Sequence, residues 1–115
     1  MEEIWNSHQK WSEAVFGPRE WRGPLGPLQH LKNEVDEVIK EYKEGEPPSS
    51  LLQEEFADCA ILLFDAVWRA GMSYQNLIDA VQAKHEKNKK RKWPSLEKIA
   101  KDDPVFHIKD QEITE

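Results

Sequence analysis

The sequence has a single cysteine and no long hydrophobic run. Cys59 stands alone among 115 residues, so the chain cannot form an internal disulfide or a zinc site built from cysteines. We interpret this residue, which lies in an apolar stretch, as a small buried side chain. The longest apolar run, residues 59–64, is far too short to span a bilayer. The first residues, MEEIWNSHQKW, lack the basic start and apolar centre of a signal peptide. We therefore expect a soluble, cytoplasmic protein with no membrane partner.

Positive charge is scarce relative to negative charge. The chain has 16 lysines and arginines against 22 acidic residues, which gives a formal net charge of -6. A general nucleic-acid-binding protein normally presents a basic face, so this balance argues against nucleic acid as a partner. It is compatible with a single nucleotide that carries its own metal ions. The hydrophobic fraction of 38% and the five tryptophans are enough for the core of one ordinary domain.

No segment shows the alternation typical of a strand, whereas four segments show helical periodicity, so the predicted class is all-α, as a four-helix bundle. Ser50 and Ser73 are the predicted N-caps of the third and fourth helices. The second half of the third helix, CAILLFDAVW, is apolar on nearly all sides, which favours a central helix or a subunit interface. The predicted helices cover residues 4–15, 28–43, 50–69 and 74–91, and the Gly-Pro-rich stretch 17–27 is predicted to be a stiff loop. The predicted domain covers residues 1–93, and residues 94–115 are predicted to form a polar, irregular tail.

Two of the predicted helices carry the same acidic pattern, 21 residues apart. Glu34 and Glu37 on the second helix correspond to Glu55 and Asp58 on the third. Acids three positions apart lie on one side of a helix with ~3.6 residues per turn. Two antiparallel helices would therefore bring both pairs to one edge of the core, where like charges repel each other. Oxygen-only ligands favour Mg²⁺ or Mn²⁺. The alternative, solvated acids on amphipathic helices, stays open at this point. Asp65, two turns beyond Asp58, is a minor candidate for a supporting network.

The fourth helix carries a line of cationic and amide side chains. Lys84, Asn88 and Arg91 continue its apolar face at helical spacing. Cations on a partly buried face need an anionic partner, and the forked guanidinium of arginine fits a phosphate group. Two alternatives remain: a solvated basic helix end, which the helix dipole favours, and a nucleic-acid patch over residues 84–93.

The chain resembles the MazG-type all-α NTP pyrophosphohydrolases, whose pattern is Glu-x-x-Glu on one helix and Glu-x-x-Asp on the next. The stretches WSEAVFGP, GPLQHLKNEVDEVIKE, EEFADCAILLFDAVWRAG and AKHEKNKKRKW are similar to the dATP/dGTP diphosphohydrolase branch, which occurs in phages and bacteria. The resemblance covers residues 5–93. It implies an enzyme that cuts an NTP or dNTP to the monophosphate and pyrophosphate, assembled as a homodimer or homotetramer. The competing hypothesis is a non-catalytic helical protein whose acids form a docking surface.

The resemblance also implies residue roles. Glu34, Glu37, Glu55 and Asp58 would hold Mg²⁺, with Mn²⁺ as a substitute, and Glu37 is the expected acceptor of the proton from the attacking water. dGTP or GTP is the leading expected substrate, and general removal of dATP, dCTP or dUTP is the alternative.

The remaining expected site residues would contact the substrate. Lys84, Asn88 and Arg91 would bind its phosphates. Trp11 would stack on the base, although a core position is an equal alternative. His30 precedes Glu34 by one helical turn and would either face the site or lie on the surface.

Overall fold

The computed structural model describes residues 1–109, and this part of the chain contains four α-helices and no β-strand. The predicted all-α class is therefore confirmed. The chain forms two compact units, one of residues 1–77 and one that starts at Ile78. The helices are α1 (Glu2–Phe16), α2 (Leu25–Glu41), α3 (Ser50–Arg69) and α4 (Tyr74–Lys90), followed by a 3₁₀ turn at Leu96–Lys98.

None of the helices in the described residues combines the length and apolar character that a membrane crossing requires.

The α2 helix begins earlier than its sequence predicts. Its first residue is Leu25, inside the stretch expected to be a loop, and Pro27 is buried in its first turn. Proline is tolerated there because the first backbone N–H groups of a helix have no partner inside the helix. The real connection between α1 and α2 is therefore shorter than the predicted one.

Serine side chains cap the two following helices. The cap of α3 is Ser49, one residue before the predicted position, and its Oγ accepts a hydrogen bond from the Leu52 N–H at 3.0 Å. The cap of α4 is Ser73, as predicted. Its Oγ accepts from the Asn76 N–H at 3.0 Å, and its own N–H donates to Asn76 Oδ1 at 3.0 Å. These bonds satisfy donors that the first helical turn leaves free.

In the first unit, α2 and α3 form an antiparallel pair joined by residues 42–49. The apolar interior is small. Trp5 of α1 lies 5.4 Å from Phe64 of α3 and 5.7 Å from Tyr74, measured between ring centroids. The buried hydrophobic side chains of the described residues are Trp5, Leu52, Ala66 and Trp68.

A buried polar network supplements this small core. The Arg69 side chain is fully buried. Its Nε donates to Asp65 Oδ2 at 3.1 Å, and its Nη2 donates to Ser12 Oγ at 2.8 Å and to the Ser12 carbonyl at 3.2 Å. Its Nη1 donates to the Arg22 carbonyl at 2.8 Å. The Ser12 hydroxyl in turn donates to Asp65 Oδ1 at 2.7 Å. We call these three side chains the Arg69 network; it ties α1 and the following loop to α3.

In the second unit, the segment after α4 folds back on the end of that helix. The Ile108 N–H donates to the Lys92 carbonyl at 2.7 Å. The Trp93 indole donates to the Asn88 carbonyl at 2.8 Å, and its ring meets that of His107 edge-on at 5.9 Å. The predicted tail beyond residue 109 lies outside the described residues.

Candidate active site

Three of the four predicted carboxylates meet between α2 and α3. Glu34, Glu55 and Asp58 each offer an oxygen atom, and these atoms lie within 4.8 Å of one another. The hairpin geometry explains the meeting, because Glu34 lies on the face of α2 that packs against α3. We call these three residues the acidic cluster. Glu34 and Glu55 are half-buried, whereas Asp58 is exposed.

The surroundings of Glu55 within the acidic cluster change its ionisation. A side-chain hydrogen bond with Glu34 raises the pKa of Glu55 above its ordinary value of 4.5, and desolvation and the negative charges of Glu34, Glu37 and Asp58 raise it further. Each of these effects disfavours the ionised form. The protein therefore holds three carboxylates close together, and an imidazole, that of His30, lies against one of them.

This donor set fits a hard divalent cation. All three donors are carboxylate oxygens, which Mg²⁺ and Mn²⁺ prefer. Two oxygens on opposite sides of one Mg²⁺ ion are about 4.2 Å apart, so small side-chain rotations would let the three groups share an ion. The Cys59 thiol is a soft donor that Mg²⁺ and Mn²⁺ do not favour, and desolvation together with the neighbouring Glu34, Asp58 and Glu55 raises its pKa.

Glu37 and His30 lie beside the acidic cluster. Glu37 is exposed on α2 and close enough to Glu55 to contribute to its raised pKa. His30 Nε2 lies 3.4 Å from Glu34 Oε1, although the His30 side chain is 60% exposed. His30 therefore contacts a member of the acidic cluster from its solvent side.

Trp11 lines a cavity of about 440 Å³ between α1 and α3. Its ring is half-exposed, so it does not belong to the core. Ile61, one helical turn after Asp58, forms the α3 wall of this cavity. We call this cavity the α1–α3 pocket; its lining residues are Glu3, Ile4, Ser7, His8, Trp11 and Ile61.

The predicted phosphate contacts lie in the second unit. Lys84 and Asn88 line one shallow cavity of about 380 Å³ on α4. Arg91 is half-buried and donates from Nη1 to Asn88 Oδ1 at 3.2 Å. It lines a second cavity of about 360 Å³, whose other walls include Lys87 and His107. Both cavities carry positive charge.

Sequence reasoning named Asp65 only as a minor candidate and did not identify Ser12, Arg69 or His8. Asp65 and Arg69 are buried, and His8 Nε2 lies 3.4 Å from Asp65 Oδ1. One signal was available: Asp65 and Arg69 stand four positions apart in the most apolar part of α3, where charged side chains require partners. No comparable signal marked Ser12.

Comparison with known proteins identifies the family and the fold of this chain. The sequence profile of the dATP/dGTP pyrophosphohydrolase family matches residues 4–113. The Eaa protein of Salmonella phage P22 is 40% identical over 111 residues, which are 96% of this chain and 30% of that relative. The chain thus spans less than a third of the length of this curated relative.

A solved structure shares the fold. It is a cyanophage S-2L MazG-like pyrophosphohydrolase bound to dGDP and three catalytic Mn²⁺ ions per active site. The match has a TM-score of 0.66 and 23% sequence identity, and it covers 93% of this chain and 91% of the other. This likeness shows the shared fold, and the family profile, which matches residues 4–113, shows that the chain belongs to the dATP/dGTP pyrophosphohydrolase family.

Proposed function

We propose that this protein is a nucleoside triphosphate pyrophosphohydrolase that converts a purine dNTP, with dGTP as the leading substrate, to the monophosphate and pyrophosphate. The observation that carries the proposal is the acidic cluster, in which Glu34, Glu55 and Asp58 bring three oxygen ligands within 4.8 Å. Family membership supports the reaction class. The dGDP in the cyanophage neighbour supports guanine as the base.

In the proposed mechanism, Glu34, Glu55 and Asp58 would hold Mg²⁺, with Mn²⁺ as a substitute. Bound divalent ions supply charge neutralisation at the phosphates and a lowered pKa for a coordinated water. Glu37, which is exposed beside Glu55, would accept the proton of the water that attacks the α-phosphorus. A new P–O bond forms at the α-phosphorus, the bond to the bridging oxygen breaks, and pyrophosphate leaves. His30 contacts Glu34 from the solvent side and orients its carboxylate.

The α1–α3 pocket is the proposed binding site for the base. Its volume of about 440 Å³ lies within the range of small-molecule sites, which are mostly apolar with a few polar groups. The exposed Trp11 ring offers a face on which a purine can stack. Ile61 lies one turn, or roughly 4.5 Å of helical rise, beyond Asp58, so a nucleotide held at the acidic cluster can reach this pocket.

Lys84, Asn88 and Arg91 are the proposed contacts for the phosphate chain. Their charge and the family resemblance support this role. The bond from Arg91 to Asn88 Oδ1 restricts the guanidinium, and a restricted donor loses less conformational entropy when it binds a phosphate.

A homodimer or homotetramer is the proposed assembly. Large apolar side chains remain exposed on α2 and α3, among them Ile39 at 68% and Phe56 at 56%. Monomeric proteins rarely leave broad apolar patches in water. Sedimentation of the wild type and of Phe56→Glu tests this assembly, and a wild type that sediments as a monomer at micromolar concentration would exclude it.

The function is tested with a panel of the common dNTPs and NTPs in the presence of Mg²⁺ or Mn²⁺. Monophosphate and pyrophosphate in equal amounts, with purine deoxynucleotides turned over fastest, are the expected products. Diphosphate and orthophosphate would indicate a different bond cleavage. No turnover of any nucleotide, together with no stabilisation by metal, would leave the non-catalytic helical protein as the better hypothesis.

A further inference from the structure

The Arg69 network holds α1, which carries most of the proposed base pocket, against α3, which carries two of the proposed metal ligands. The metal ligands belong to α2 and α3, whereas Trp11 and His8 of the pocket belong to α1. Ser12 is fully buried and follows Trp11 directly. The position of the pocket relative to the acidic cluster therefore depends on how α1 is held against α3.

The geometry of Asp65 connects this network to the pocket. One carboxylate oxygen, Oδ2, accepts from Arg69 Nε at 3.1 Å. The other, Oδ1, accepts from Ser12 Oγ at 2.7 Å and lies 3.4 Å from His8 Nε2. His8 lines the α1–α3 pocket, and its ring is 5.6 Å from that of Trp11. Asp65 thus lies next to the pocket residue His8. Hydrogen bonds from Ser12 of α1 and Arg69 of α3 hold its two carboxylate oxygens in place.

His8 itself carries an unusual feature. Its Nε2 atom is buried, and it has no aligned hydrogen-bond partner in the described structure despite its proximity to Asp65. Buried polar atoms are normally paired, so this atom needs an explanation. A carboxylate at 3.4 Å favours the tautomer with the proton on Nε2, which leaves Nδ1 as an acceptor. A small movement of the ring as a ligand enters the pocket would align the Nε2–H with Asp65.

We propose that Asp65, held by Ser12 and Arg69, is a positioning residue for base recognition: it fixes α1 and the His8 ring so that the α1–α3 pocket stays in register with the acidic cluster. This inference rests on the proposed function. It separates two properties of the enzyme, because the metal ligands on α2 and α3 do not depend on the network, whereas the base pocket does.

Ser12→Ala and Asp65→Asn test the proposal. Ser12→Ala removes one hydroxyl and keeps the pair of Asp65 and Arg69, so this variant retains the fold even if Asp65→Asn does not. Ser73→Ala is the matched control, because it loses the N-cap of α4 and touches neither the pocket nor the network. Measurements are kcat and KM for dGTP, dATP and dCTP, the affinity for dGDP with Mn²⁺ by calorimetry, and the shift in Tm caused by Mn²⁺ alone.

The network variants are expected to raise KM for dGTP about tenfold and to weaken the binding of dGDP by a similar factor. Their kcat should stay within about twofold of wild type, and the rise in Tm caused by Mn²⁺ should remain. Their preference for purine over pyrimidine substrates falls by a similar factor. The control lowers Tm without changing this preference. Network variants that lose stability but keep wild-type KM and preference would reduce the network to a structural role and overturn the inference.

His8→Phe provides a second, independent measurement. This substitution keeps an aromatic ring against Trp11 and removes the nitrogen that faces Asp65. If Asp65 acts through His8, the effects of His8→Phe and Asp65→Asn on dGDP affinity are not additive in the double variant. Full additivity would overturn the link through His8. If the wild type neither turns over dNTPs nor binds dGDP, both the proposed function and this inference are rejected. If the wild type turns over dNTPs and the variants keep its KM, substrate preference and dGDP affinity, the inference alone is rejected.

Discussion

Glu34 on α2 and Glu55 on α3 share a hydrogen bond between their carboxyl groups. Two carboxylates make this contact only when a proton or a cation lies between them, because two ionised groups repel each other. In the metal-free protein the raised pKa of Glu55 keeps such a proton in place to a higher pH than an ordinary carboxyl group would. A divalent ion would replace it, and this exchange is the basis of the first two predictions.

Divalent metal is expected to stabilise the wild type. At a concentration ten times Kd, binding to the folded state adds about 1.4 kcal/mol, which raises Tm by roughly 6 °C for a chain of 115 residues. Asp58→Asn is expected to lose most of this shift. Asp36→Asn, which neutralises an exposed acid on α2 outside the cluster, should keep it. Differential scanning fluorimetry with and without Mn²⁺ measures the rise in Tm. If Asp58→Asn and Asp36→Asn show the same rise, the metal does not bind at the acidic cluster.

Glu55→Gln is expected to stabilise the metal-free protein at neutral pH while abolishing its response to metal. Because the folded protein raises the pKa of Glu55, the stability from this group is fully present below its ordinary pKa of 4.5 and is lost as pH rises through the higher, folded value. Glutamine carries no charge and avoids that loss. Urea titrations of both proteins at pH 4 and pH 7, in the presence of EDTA, should show a difference at the higher pH only. If the wild type is more stable than Glu55→Gln at pH 7, the claim that ionised Glu55 destabilises the metal-free protein is wrong.

Glu37→Ala is expected to lower kcat by about 10²–10⁴, the range of a lost general base. Glu37 lies outside the three closest carboxylates, so the Tm shift caused by Mn²⁺ should largely remain. Steady-state kinetics on dGTP and fluorimetry on the same samples check both parts. A variant that loses the metal shift together with activity would assign Glu37 to metal binding, and full turnover would remove it from the mechanism.

Lys84→Ala and Arg91→Ala are expected to raise KM for a triphosphate by roughly 10–100-fold, because a hydrogen bond to a charged group contributes about 1.5–3 kcal/mol. Lys89→Ala is the control on the same helix. Its side chain is exposed and paired with Glu86 at 3.0 Å, and such surface pairs contribute little. If all three variants have the same KM, Lys84 and Arg91 do not bind the phosphates, and the basic end of α4 is a solvated surface.

Much of this protein is determined by the sequence alone. Helical periodicity and Gly-Pro breaks predicted four helices. The repeated acid pattern placed four carboxylates on matching faces, because a regular helix converts spacing directly into position; they are Glu34, Glu37, Glu55 and Asp58. Helix ends were less exact. Proline is acceptable in a first turn as well as in a loop, so the sequence did not distinguish a start at Leu25 from one at Leu28.

Only the tertiary structure decided which side chains from distant positions meet. It brought Glu34, Glu55 and Asp58 within 4.8 Å and left Glu37 outside the three. It also joined Ser12 to Asp65 across 53 positions of sequence, a contact that no local pattern signals. Such contacts depend on how α1 packs against α3, and that packing results from many weak interactions summed over the whole unit. The reactive groups can therefore be found by spacing along one helix, whereas their supporting contacts follow from the arrangement of several helices.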